Sequence, residues 1–250
     1  MTPSASETAR TQWERSFTEQ VAQQAYNTAP VETLARNVSY YLRARYTPAQ
    51  YAQLHFLEMG CGTGPNLVWL ARKGVRVSGV DIAPTALALA RAQLEQAGCR
   101  DRIAQLIEAP VSAAPFPDAS FDGIVEALVF QHLAKADRLA AFAEVRRLLK
   151  PGGLFAGCLL DASHTIFQER QREQLPDDPG TLILHDGRSS IYLNDLGVCH
   201  FYRREELDTL LRGFSVVDVS LTTYYLPREE ARRRGYETYL QSMWAVYAIK

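Results

Sequence analysis

The stretch His55-Phe-Leu-Glu58-Met-Gly60-Cys-Gly62-Thr-Gly64 decides how this chain is read. A short apolar run that reads as a strand passes an acidic residue and ends in three glycines at alternate positions. Glycine admits left-handed backbone and lets a chain pass close to a ligand, so such a loop after a strand marks a tight turn against something small. Spacing narrows the choice. The dinucleotide fingerprint is G-x-G-x-x-G, with its third glycine packing the following helix against the strand. Counted from Gly60, that third position is Pro65, and the fingerprint fails.

Outward from this loop, strands and helices alternate. Residues 65–73 read as a helix stopped by Gly74, and Val75–Val80 as a second strand. Pro84–Ala97 reads as a strong helix, with proline in its first turn and Gly98 beyond its end. Ile103–Ile107 and Phe121–Ala127 continue the strands. Ala136–Leu149 reads as an amphipathic helix stopped by Pro151-Gly152-Gly153, and Leu154–Leu160 as a fifth strand. This alternation predicts an α/β fold: a doubly wound, mostly parallel sheet with right-handed crossovers, binding its ligand at the carboxyl ends of the strands. Upstream, residues 1–10 read as frayed. Trp13, Phe17, Val21, Tyr26, Val31, Leu34, Val38, Tyr41 and Leu42 recur every three to five residues, which predicts two amphipathic helices broken near Pro30. Residues 161–200 read as irregular and polar, 203–212 as helix, and Phe214–Thr222 and Ser242–Ile249 as strands.

Three further features bear on the ligand. Asp81 ends the second strand, 21 positions after Gly60, where a carboxylate can accept both hydroxyls of an adenosine ribose. Phe116-Pro-Asp-Ala-Ser-Phe-Asp122 leads into the fourth strand, and Lys150-Pro-Gly-Gly153 precedes the fifth. Together with the acid-x-G-x-G-x-G loop, these stretches resemble the class I methyltransferases, which use S-adenosyl-L-methionine (SAM), over roughly residues 54 to 160. The resemblance implies a seven-stranded sheet, an N-terminal helical lid over residues 1–50, and a SAM-binding domain over 51–250 with a substrate insert at about 161–200.

The resemblance also assigns residues. Glu58, Gly60, Cys61, Gly62 and Gly64 fall to the methionine part of SAM, Asp81 to the ribose and Ile82 to the adenine face. The family often has an acid after strand three; here that place is Pro110, which leaves the backbone N–H of Val111 to meet the adenine. Glu126 falls either near the SAM amino group or at a solvated strand end. His132 resembles a family histidine that is more often structural than catalytic. Tyr26 is a lid residue placed to close on SAM; Trp13 either does the same or packs the lid. In the insert, His164, His185, Asp186, Tyr192, Asn194, His200 and Tyr202 are substrate candidates, and His132, Tyr192 and His200 are the candidates for catalysis.

Composition removes other classes. With 27 basic and 28 acidic side chains, the chain has no built-in attraction for nucleic acid. The Asn/Asp-Pro-Pro-Tyr motif of amino-methylating nucleic-acid enzymes is replaced by Glu126-Ala-Leu-Val. Cys61, Cys99, Cys158 and Cys199 lack C-x-x-C spacing, so free thiols are expected rather than a zinc site, and no other metal site is expected. No signal-peptide stretch or membrane-length apolar run stands out, which reads as a cytoplasmic protein, monomer or homodimer, with a small-molecule substrate. The expected reaction is N- or O-methylation of a small metabolite. Two alternatives stay open. One is attack at the aminocarboxypropyl carbon of SAM, such as closure of its own amine to azetidine-2-carboxylate with release of methylthioadenosine. The other is a non-catalytic SAM-binding module.

Overall fold

The computed structural model describes residues 5–185 and 197–250, with side-chain surroundings from residue 9 onward. β1 (His55–Met59), β2 (Arg76–Asp81), β3 (Ile103–Glu108), β4 (Phe121–Ala127) and β5 (Leu149–Leu160) pair in parallel. β9 (Leu240–Ile249) runs antiparallel between β5 and β8 (Val216–Tyr225). The seven-stranded order is β3-β2-β1-β4-β5-β9-β8, so the expected mostly parallel sheet is present and its order reverses beside β1. Phe56 and Leu57 show why both faces need cover. Successive strand residues point to opposite faces, and these two enter different apolar layers.

One layer packs α2 (Glu32–Arg45), α3 (Pro65–Arg72) and the end of α4 (Pro84–Gln96) on the sheet, through Leu34, Val38, Leu67, Leu70 and Leu94. The other packs α5 (Lys135–Leu148) and α7 (Arg204–Leu210), through Phe142, Val145, Leu148 and Leu207. Burying each such side chain contributes about 1.5–3 kcal/mol. The two N-terminal helices part company. α2 belongs to the sheet's own layer: the Tyr41 hydroxyl reaches the carbonyls of Asp122 and Gly152 at 3.2 and 3.1 Å, and Asn37 donates to the carbonyl of Val246 at 3.1 Å. α1 (Ala5–Ala22) instead lies over the carboxyl ends of the strands, and its helix reaches into the segment expected to fray.

The segment read as irregular is more ordered than expected. α6 (Thr165–Arg170) is followed by β6 (Thr181–Leu184), which pairs antiparallel with β7 (Gly197–His200). Four-residue strands are too short to display a period. The ribbon's apolar side forms a third cluster with Ile166, Phe167, Phe201 and Tyr239. The Arg-rich segment before β9 is α8 (Arg228–Arg233), with i to i+4 pairs such as Arg233–Glu229 at 3.1 Å. All four cysteines are buried and free. Among the described residues, no helix is long and apolar enough to cross a membrane.

Candidate active site

The glycine loop takes the backbone its sequence demands. Gly60, Gly62 and Gly64 have φ of +73°, +49° and +86°, a region costly to any residue with a β-carbon. The amides of Gly60 and Cys61 both donate to the Val80 carbonyl at 2.9 Å, tying the loop to the end of β2. Gly64 lets α3 start against α4: a β-carbon there would lie 2.9 Å from that of Ala90.

Above this loop is a cavity of about 340 Å³, within the size range of small-ligand sites. Its floor is Gly60, Cys61, Gly62, Glu58 and Asp81. Ile82, Pro110, Val111 and Ser112 form one side; Leu128, Val129, His132 and Leu133, which follow β4, form the other. Trp13 and Phe17 of α1 roof it, and Val198 of β7 closes it from the ribbon. Glu14 latches the roof. Its carboxylate accepts the Thr85 amide at 3.1 Å and the Thr85 hydroxyl, both in the first turn of α4.

Three carboxyl groups sit in or behind the floor, each fixed differently. Asp81 accepts the Gly62 amide at 2.8 Å and the Ala83 amide at 3.0 Å; burial still raises its pKa. Glu58 accepts the Asn66 amide at 2.7 Å through Oε1, while Oε2 is buried without a partner. Burial pushes Glu58 up to about 8. Glu126 accepts the amides of Val129 and Phe130 at 2.6 and 3.0 Å, and burial pushes it up to about 7.

The cavity thus brings together Glu58, Gly60, Cys61, Gly62, Asp81, Ile82, Val111 and His132. Other candidates fall elsewhere. Glu126 is neither solvated nor on the cavity wall; it is sealed behind it, holding the turn in which Leu128 adopts φ +60°. Gly64 shapes the loop without lining the cavity. Tyr26 does not line it either; its neighbour Asn27 does, with the Asn27 carbonyl accepting from Thr63 Oγ1 at 2.9 Å. His200 is buried in the ribbon and does not line the cavity, with Nδ1 2.7 Å from Thr181 Oγ1 and Nε2 2.9 Å from Glu206. His164 caps α6, accepting the Ile166 amide at 3.3 Å. Tyr202 is buried in the core, and His185 does not line the cavity. Tyr192, Asp186 and Asn194 lie outside the described residues. Trp13 lines the cavity and packs against Phe17 and His132 with ring centroids at 6.0 and 5.1 Å.

Reading the sequence missed Phe17, Asn27, Asn66, Leu133 and Val198. Phe17 was visible as an apolar position of α1, but nothing in the sequence tells a roof from a core face. Asn66, a polar residue on the otherwise apolar first turn of α3, was the one legible signal.

The methyltransferase domain family matches residues 57–157, the segment holding the glycine loop, Asp81 and the turn after β4. The fold around it has the class I strand order. Residues 57–157 thus carry a methyltransferase domain, set in a sheet with the strand order of the class I SAM-dependent methyltransferases. It is 36% identical to demethylmenaquinone methyltransferase of Thermus thermophilus over 41% of this chain and 45% of that protein. It is 35% identical to ubiquinone biosynthesis O-methyltransferase of a Methylobacterium over 48% of this chain and 46% of that protein. The chain thus spans under half the length of these curated relatives. Among solved structures, 1,6-didemethyltoxoflavin-N1-methyltransferase of Burkholderia thailandensis, bound to that compound and S-adenosylhomocysteine, superposes with a TM-score of 0.60 over 100% of this chain and 92% of its own at 17% identity. At that identity the likeness concerns fold alone.

Proposed function

We propose that this chain is a methyltransferase that binds SAM in the cavity under α1 and transfers its methyl group to a small acceptor held against the roof. The observation that carries the reading is the left-handed glycine cradle between two buried carboxyl groups, Glu58 and Asp81, at the reversal point of the sheet. The residues fit such a ligand. Glu58 lines the cavity and has one buried oxygen without a partner, and burial, with the nearby charges of Asp81 and Glu126, holds the group up. A ligand carrying ammonium and sulfonium charge supplies the countercharge that ionises it. Asp81 keeps free lone pairs on both oxygens for the ribose hydroxyls, and Ile82 and Val111 stand on the adenine side.

When bound, SAM offers an electrophilic methyl carbon on a good leaving group, so the protein's task is placement and exclusion of water. Trp13 and Phe17 keep the roof apolar, and Glu14 holds that roof on α4. The cavity's size favours a metabolite over a macromolecule. Relatives named for nitrogen and for oxygen methylation both carry related sequence or fold, which supports small-metabolite chemistry in general. The test is incubation with SAM alone and with a metabolite extract, followed by mass spectrometry of the adenosine product. S-adenosylhomocysteine formed only with extract is the expected result. Methylthioadenosine formed from SAM alone, above a protein-free control, overturns methyl transfer in favour of attack at the aminocarboxypropyl carbon.

A further inference from the structure

We propose that His132 Nε2 is the proton acceptor for a hydroxyl group on a flat, apolar acceptor, so that this site methylates oxygen on an aromatic ring; the inference rests on SAM occupying the cavity. His132 Nδ1 lies 3.0 Å from the carbonyl oxygen of Val198. A carbonyl cannot donate, so Nδ1 carries the hydrogen and the neutral ring presents a bare lone pair at Nε2. Nε2 makes no hydrogen bond among the described residues, and the side chain lines the cavity. Burial holds this imidazole down at about 4, opposed only by the Val198 carbonyl, so it stays neutral through the physiological range.

The surroundings say what meets that lone pair. Trp13 stands edge-on to the ring at 5.1 Å, and Phe17, Val129, Leu133 and Val198 complete an apolar wall. An acceptor in such a wall with no partner from the protein is satisfied when a donor arrives with the ligand. Aromatic walls favour a flat partner. The nucleophile follows from the proton count. An amine attacks through its lone pair, and the resulting ammonium keeps its proton without help. A hydroxyl oxygen becomes strongly acidic as it bonds to carbon, so even a weakly basic imidazole can take the proton. In the balanced step, the acceptor oxygen bonds to the methyl carbon, the carbon–sulfur electron pair returns to sulfur, and the hydroxyl proton passes to Nε2 and then to solvent.

The test uses the full chain, labelled with ¹⁵N-histidine and saturated with S-adenosylhomocysteine, with phenol and its methyl ether anisole as probes. The His132 resonances should report an Nδ1–H tautomer that does not titrate between pH 8 and 5.5. Phenol should shift Nε2, and anisole should not. His132→Asn keeps an amide donor for the Val198 carbonyl but lacks Nε2. It should bind S-adenosylhomocysteine within about twofold of wild type while phenol affinity falls about tenfold, the scale of one hydrogen bond. An Nε2–H tautomer, ordinary titration, or equal responses to phenol and anisole, none included, overturns the proposal in the unmodified protein even where the variant misfolds. Failure of S-adenosylhomocysteine to bind sinks the SAM reading itself. Binding of that ligand with an Nε2 that ignores phenol sinks only the histidine assignment.

Discussion

Gly60 faces Val129 so closely that a β-carbon on Gly60 would lie 2.5 Å from Val129 Cγ2. The loop below the cavity and the turn after β4 are therefore fitted to each other. Gly60→Ala meets two penalties, the contact and a φ of +73° that costs an L-residue about 1–2 kcal/mol. The variant should melt several degrees lower and bind S-adenosylhomocysteine at least about tenfold more weakly, a loss of about 1.4 kcal/mol. Adding Val129→Ala should recover part of the loss, because it removes the contact and leaves the backbone strain. Calorimetry on the single and double variants separates the two.

Glu58 and Glu126 make the empty protein's stability depend on pH. Burial raises their folded pKa to about 8 and about 7 from an ordinary 4.5. The folded state therefore holds more protons than the unfolded state. Stability from this source is full below the ordinary carboxyl range and is lost as pH rises through 7 and 8. His132 acts with the opposite sign, since its pKa is lowered; its contribution is complete above about 6.5 and is lost only as pH falls toward 4. Urea unfolding at pH 6.5, 7.5 and 8.5 should thus show falling stability, and Glu58→Gln should flatten the fall. A cationic ligand favours the ionised carboxylate. SAM should bind more tightly at pH 8.5 than in the apo protein's protonated range near 6.5, with proton release near neutral pH read as a buffer-dependent binding enthalpy.

The roof has its own handle. Glu14 accepts hydrogen bonds at the start of α4, where unpaired amides and the helix dipole favour a carboxylate. Glu14→Ala should loosen α1 without touching the cradle. Stopped-flow release of S-adenosylhomocysteine should speed up about five- to tenfold, consistent with loss of about 1 kcal/mol. The melting temperature of the sheet should move little, because α1 contributes no residue to the two main apolar layers.

Where the chain signals itself locally, sequence alone was enough. Phe121–Ala127 was placed to the residue, and α3 and α4 ended at the glycines that stop them. The cradle was legible because left-handed backbone demands glycine. What was not legible is assembled across the chain. Phe17 and Val198 are neighbours of one cavity because α1 folds over the strand ends while β7 returns to them. Glu126 shows a subtler limit. An acid at a strand's carboxyl end invites assignment to the ligand, but Leu128 at φ +60° turns the following amides back onto it. Tyr26 and Asn27 show the same limit at one residue's distance: Asn27 lines the cavity and Tyr26 does not.

The β6–β7 ribbon brings Val198 to His132, and a buried ion pair holds that ribbon to α5. Arg138 reaches Asp178 Oδ1 at 2.7 Å with both side chains almost fully buried, and Asp178 Oδ2 accepts from Thr181 Oγ1 at 2.6 Å. Removing one member of a buried pair leaves the other charge without compensation, at about 3–5 kcal/mol. Asp178→Ala should therefore lower stability by that order, and it should also act at the site. With β6 freed at Thr181, the Val198 carbonyl loses its fixed position and His132 loses the partner that sets its tautomer. Replacing Arg138 and Asp178 together by apolar residues of similar size should restore much of the stability, since a well-packed apolar pair avoids the desolvation that an ion pair must offset. The site effect tests whether the ribbon needs specific polar anchors. If the double variant melts like wild type and its His132 still shows the Nδ1–H tautomer, packing alone positions Val198. If it melts like wild type but the tautomers mix, the chain from Arg138 through Asp178 and Thr181 is what orders the histidine.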